Sequence, residues 1–120
     1  MKKLITIAAV AAFASQMGAA PVFAADAEKI FQFYCSQCHG LTGKGDGPNV
    51  TKDFPVSPRN FTDGNEMAKL SDADLKNVIL DGGPAVSKSP MMPPWGKTLT
   101  AEEVDALVEH LRVLCNCSGG

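Results

Sequence analysis

The sequence predicts an all-α domain. Apolar residues recur at helical spacing in three separate stretches, and capping-box patterns open two of them. The segments between these stretches are too rich in glycine and proline for regular structure. The chain has 120 residues, and its first 24 read as a separable leader. Domain organisation is therefore a signal peptide over residues 1–24 and one domain over residues 25–120.

Lys2 and Lys3 form a short basic start, Leu4 to Ala14 an apolar run, and Val22-Phe23-Ala24 offers small residues where signal peptidase cleaves. An uncleaved membrane anchor is the alternative, but the apolar run stops at Ser15-Gln16 and is short for a span. No later stretch is long and apolar enough to cross a membrane, so the expected location is the periplasm. The leader holds two of the 11 Lys and Arg and none of the 13 Asp and Glu, leaving a net charge of −4 with His neutral. That balance argues against nucleic acid as a partner, since phosphate binding needs a clustered positive surface.

Asp26 is the expected N-cap of a first helix running from about Ala27 to Tyr34 and the cysteines beyond, with Ile30, Phe31 and Tyr34 on one packing face. It leads into Cys35-Ser36-Gln37-Cys38-His39, a C-x-x-C-H pattern of the kind that attaches a c-type haem. Two thiols three residues apart share one face of a helical turn, so both Cys35 and Cys38 can form thioethers to a porphyrin edge. His39 then serves as an axial ligand to iron. Two other readings stay open. A redox dithiol expects a preceding strand that Ala27 to Tyr34 do not provide. A four-sulfur zinc site would recruit Cys115 and Cys117.

Gly40 to Asn49 contains four glycines and a proline, Gly47-Pro48, and is expected to bring backbone close to the haem edge. Residues 50–69 read as an irregular wrap. Within it, Arg59 is either a partner for a haem propionate or an exposed solvated side chain. Ser71-Asp72-Ala73-Asp74 resembles a capping box and opens a helix carrying Leu75, Val78 and Ile79, which Asp81-Gly82-Gly83-Pro84 stops. Thr100-Ala101-Glu102-Glu103 opens the last helix, whose Val104, Leu107, Val108, Leu111 and Leu114 form a stripe expected to pack across the first helix. Between these two helices, Ser87 to Gly96 is a proline-rich loop with Met91 and Met92, either of which could supply the second axial ligand. Core filling is the other use of methionine. Cys115 and Cys117 remain after haem attachment, and an oxidising compartment favours a disulfide, within the pair or between chains.

Taken together, Cys35-Ser36-Gln37-Cys38-His39, Gly47-Pro48-Asn49, Met92-Pro93-Pro94-Trp95 and the terminal amphipathic helix resemble the class I c-type cytochromes over nearly the whole chain after the leader. The resemblance implies N- and C-terminal helices crossing around one covalently bound haem c with its iron. It implies Met92 as the distal ligand, with Met91 as the alternative. It also implies a Pro48 carbonyl on the second nitrogen of His39, and Trp95 in the haem surroundings. Ala27 and His110 fall where that family places its helix crossing, and a His39/His110 ligand pair is the minor alternative.

With His39 and Met92 on iron, no position is left for a substrate, so the expected role is one-electron transfer and not catalysis. Expected partners are larger periplasmic donor and acceptor proteins, met by a monomer. Lys44, Lys88 and Lys97 are either docking charges around the haem edge or ordinary solvated lysines. Two alternatives stand beside the carrier: a haem subunit of a periplasmic oxidoreductase complex, and a sensor or peroxidase-like protein if the distal methionine is labile.

Overall fold

The computed structural model describes residues 22–120. The expected signal peptide lies outside the described residues except for its last three, which belong to the first helix. That helix, α1, spans Val22–Ile30, continues through a π-helical turn at Phe31–Cys35, and ends in α2 at Ser36–His39. Then follow α3 (Gly64–Met67), α4 (Asp72–Asp81), a 3₁₀ turn at Gly83–Val86 and α5 (Ala101–Cys115). No strand occurs among the described residues, and the all-α class stands.

Asp26 does not cap α1. The helix is already formed at Val22, four residues earlier, with Ala24 and Ala25, strong helix formers, directly before Asp26. Ala27 and Phe31, one helical turn apart and each 1% exposed, face the centre of the molecule. There Phe31 joins one buried cluster with Val104, Leu107, Val108 and Leu111 of α5. His110 lies at this crossing with its ring centroid 5.2 Å from that of Phe31. It is a packed histidine, and it is absent from the lining of the cavity described below.

Both capping boxes form. The Ser71 hydroxyl accepts from the Asp74 N–H while the Asp74 carboxylate accepts from the Ser71 N–H. Thr100 and Glu103 repeat the exchange at α5. Each box satisfies two N–H groups that a helix start leaves open. Leu75 and Ile79 of α4 are buried in the same core, and α4 is tied to α5 on the outside by the Lys76–Asp105 ion pair at 2.7 Å.

Residues 50–69 are less irregular than the sequence suggests. Asp63 accepts from the N–H groups of Asn65 and Glu66 at 3.1 Å each and so starts α3, whose Met67 is fully buried. The largely buried Arg112 of α5 locks this region down. Its guanidinium donates to the carbonyls of Met67 (2.9 Å) and Leu70 (2.6 Å) and pairs with Asp72 at 2.8 Å. Asn116 then turns the chain in the left-handed region, φ 49°, and Cys115 bonds to Cys117. The disulfide lies within the C-x-C pair.

Candidate haem site

The helical segment that ends in α2 delivers Cys35, Cys38 and His39 to the wall of a cavity of about 790 Å³. That volume is in the range of pockets that enclose a whole cofactor. Leu75, Val78 and Ile79 of α4, with Phe61, Trp95 and Leu111, supply its apolar walls, and the loop after the 3₁₀ turn adds Met91 and Met92. The wall thus contains two free thiols, an imidazole and two thioethers.

His39 Nδ1 lies 3.2 Å from the Arg59 carbonyl. A carbonyl only accepts, so Nδ1 carries the proton and Nε2 keeps its lone pair. Burial holds the His39 pKa below its ordinary value of 6.5, with the Arg59 hydrogen bond opposing, so the neutral ring is favoured. The Phe61 ring stacks on the imidazole with centroids 4.4 Å apart. Burial, reinforced by the adjacent Cys38, pushes the Cys35 thiol up to about 12, and it stays protonated at neutral pH.

The partner of His39 corrects the expectation for Pro48. The glycines of the run do not reach the cavity: the run folds back on the C-x-x-C-H backbone, with Gly45, Gly47 and Asn49 N–H groups donating to the carbonyls of His39, Cys38 and Gln37. At Gly47 a Cβ would overlap the backbone of Gln37 and Cys38, which explains glycine at this closest approach. Pro48 is consequently exposed and outside the cavity lining, while the chain returning from residue 50 brings Arg59 over His39. Of the glycine run, Asn49 alone touches the cavity.

Arg59 does line the cavity, half-buried, so its side chain is placed for an acidic substituent of a cofactor, and its carbonyl has the further role that no sequence signal marks. Trp95 lines the cavity and packs on Tyr34, centroids 5.1 Å apart. Met91 is 51% exposed and Met92 is half-buried. The Met92 carbonyl is held by the Gly83 N–H at 2.9 Å, and two residues on, Pro94 leads into Trp95, whose N–H bonds the Ile79 carbonyl at 2.9 Å. The loop is therefore pinned to the 3₁₀ turn at Met92 and to α4 at Trp95. Of the three lysines considered for docking, Lys88 borders the cavity and Lys44 and Lys97 do not.

These residues fit a haem by the chemistry of their donors: paired thiols for vinyl groups, an imidazole with a free Nε2, thioether sulfur, apolar walls and a guanidinium. A zinc set of four sulfurs is not assembled, because Cys115 and Cys117 are bonded to each other.

Helical fold and donor set together define a c-type cytochrome. The chain belongs to the family described as cytochrome c oxidase, cbb3-type, subunit III, whose model matches residues 23–111. Haem c with its iron is the cofactor that this membership brings. Among solved structures, the chain is similar to the KustC0563 c-type cytochrome, with 33% identity, a TM-score of 0.55, and coverage of 73% of this chain and 95% of that one. It is also similar to a chain of the Kuenenia stuttgartiensis reducing HAO-like protein complex Kustc0457/Kustc0458, with 28% identity and a TM-score of 0.59. That match covers 74% of this chain and 41% of the other. No curated protein matches the chain. Among the described residues, no helix is long and apolar enough to cross a membrane.

Proposed function

We propose that this cytochrome is a periplasmic one-electron carrier and not an enzyme, holding one haem covalently through Cys35 and Cys38 with His39 and Met92 as axial ligands. The observation that carries the reading is that one cavity is lined by the C-x-x-C-H donors and by a methionine in a pinned loop. Bound haem supplies reversible one-electron chemistry at iron. The protein's part is to hold and shield. Arg59 O fixes the His39 tautomer and orients the ring, a second-layer contact of the kind that tunes ligand basicity. The Gly83 N–H fixes the Met92 backbone, and Met91 is the more exposed of the two methionines. Phe61, Leu75, Ile79 and Trp95 keep water from the cavity walls. Two protein ligands leave no open position for substrate, so electrons pass by docking of a partner. Lys88 at the cavity border is the cation best placed to steer an acidic partner.

A second reading, permanent docking in a redox complex, is favoured by the likeness to a chain from a structure described as a protein complex. Gel filtration of the native extract separates the two, a monomer supporting the carrier. The primary test is the visible spectrum of ferric protein secreted from a host competent for haem attachment. A low-spin spectrum with the weak red-end band of methionine sulfur on iron, lost in Met92→Ala and retained in Met91→Ala, is the expected result. A high-spin spectrum in the unaltered protein would instead favour a sensor or peroxidase-like role.

A further inference from the structure

The turn that leads into the haem-binding motif is not α-helical. The Ser36 N–H donates to the Phe31 carbonyl, five residues back, where an α-helix would use Gln32. The Gln32 carbonyl is taken by the Ser36 hydroxyl at 2.5 Å. Ser36 is 4% exposed, is the one polar residue in the buried set among the described residues, and lies outside the cavity lining.

The consequence is a change of rotational phase. Ala27 and Phe31 lie four residues apart on the line that faces α5, and a further α-helical step of four would carry Cys35 onto that same line. An α-helix turns about 100° per residue, and a π turn spreads its rotation over more residues. The π turn therefore swings Cys35, and with it Cys38 and His39, off the line of Phe31 and onto the cavity wall. It does so while Phe31 stays in the core.

We propose that Ser36 is a positioning residue: its hydroxyl occupies the Gln32 carbonyl, keeps the turn in the π register, and so sets the angle at which Cys35, Cys38 and His39 meet the haem. Without the hydroxyl, the Gln32 carbonyl is open to the α-helical bond from the N–H of residue 36, and forming that bond rotates the motif. The identity of the residue inside C-x-x-C is thereby a part of the site. This inference rests on the proposed haem site.

The test uses isotopically labelled, haem-loaded ferrous protein, with through-hydrogen-bond couplings to read the register and voltammetry to read the midpoint potential. In the unaltered protein the residue 36 N–H should couple to the Phe31 carbonyl. Coupling to Gln32 there overturns the proposal whether or not any variant folds. Ser36→Ala should move the coupling to Gln32 and shift the midpoint potential, and Ser36→Thr should restore both. An Ala variant with the π register or potential unchanged, or a loss that Thr does not repair, overturns it. Mass analysis of the unaltered protein separates the two levels: absence of haem defeats the haem reading, whereas haem present with an indifferent Ser36 defeats this inference alone.

Discussion

The α1–α5 crossing and the far side of the cavity are built on different principles. The crossing is made of helices with apolar faces, α5 opened by a capping box, and its stability comes from side chains such as Phe31, Leu107 and Leu111. The cavity side, residues 40–63 and 87–99, has little regular structure and is held by backbone hydrogen bonds and close backbone approach. Helix packing tolerates substitution by volume, whereas a loop that touches backbone with backbone tolerates no added atom. The donors lie where the two kinds of structure meet.

Removing the proposed haem anchors should break the comparison most completely. With Cys35→Ala and Cys38→Ala combined, the cavity walls lose what the proposed haem gives them to pack on, and a domain of this size has little stability to spare. Folded secreted protein should fall on the order of tenfold. Recovery of a colourless domain that unfolds cooperatively would contradict this.

Phe31→Ala and Gly47→Ala then weigh the two halves against each other. Truncating the buried ring should cost about 3–5 kcal/mol. Adding one methyl at Gly47, against backbone that cannot move aside, should cost about 1–3 kcal/mol. Denaturant melts of the haem-loaded variants measure both. An indifferent Gly47→Ala would show that the glycine loop is adjustable.

Arg112→Ala should cost about 2–3 kcal/mol, because it strips charge-assisted bonds from the Met67 and Leu70 carbonyls. The same melts report it, and a loss under about 0.5 kcal/mol would mean that water replaces the guanidinium.

The smallest effect concerns His110. Burial lowers its pKa from 6.5, partly opposed by Glu28, so the folded state disfavours the proton that the unfolded chain accepts. Its contribution is whole above about pH 6.5 and is lost as pH falls from there through the folded value. His110→Gln should flatten the melting temperature between about pH 7 and 5 relative to the unaltered protein, on the same linkage argument. An unchanged slope would place the pH dependence elsewhere.

Much of the crossing is legible in the amino-acid sequence. The Ser71 and Thr100 boxes and the α5 stripe follow from local chemistry, as does the spacing of Cys35, Cys38 and His39, whereas the place of His110 follows from the family resemblance. Legibility ends where a contact joins distant backbone. Pro48 follows the motif closely and is the expected partner of His39, yet the Arg59 carbonyl, 20 residues along, holds Nδ1. No side-chain pattern marks a carbonyl acceptor. The start of α1 is obscure for a different reason: Asp26 suits a cap, but the alanine-rich run before it suits a helix equally well.

The sequence by itself determined α4 and α5 with their capping boxes, the helix that leads into the cysteines, the haem-binding signature and the family, because each is written in side chains within a few residues of one another. Tertiary structure alone decided the carbonyl that orients His39 and the main-chain carbonyls of the α3 region that Arg112 grips. Those depend on where backbone donors and acceptors meet in space, and every non-proline residue carries the same two.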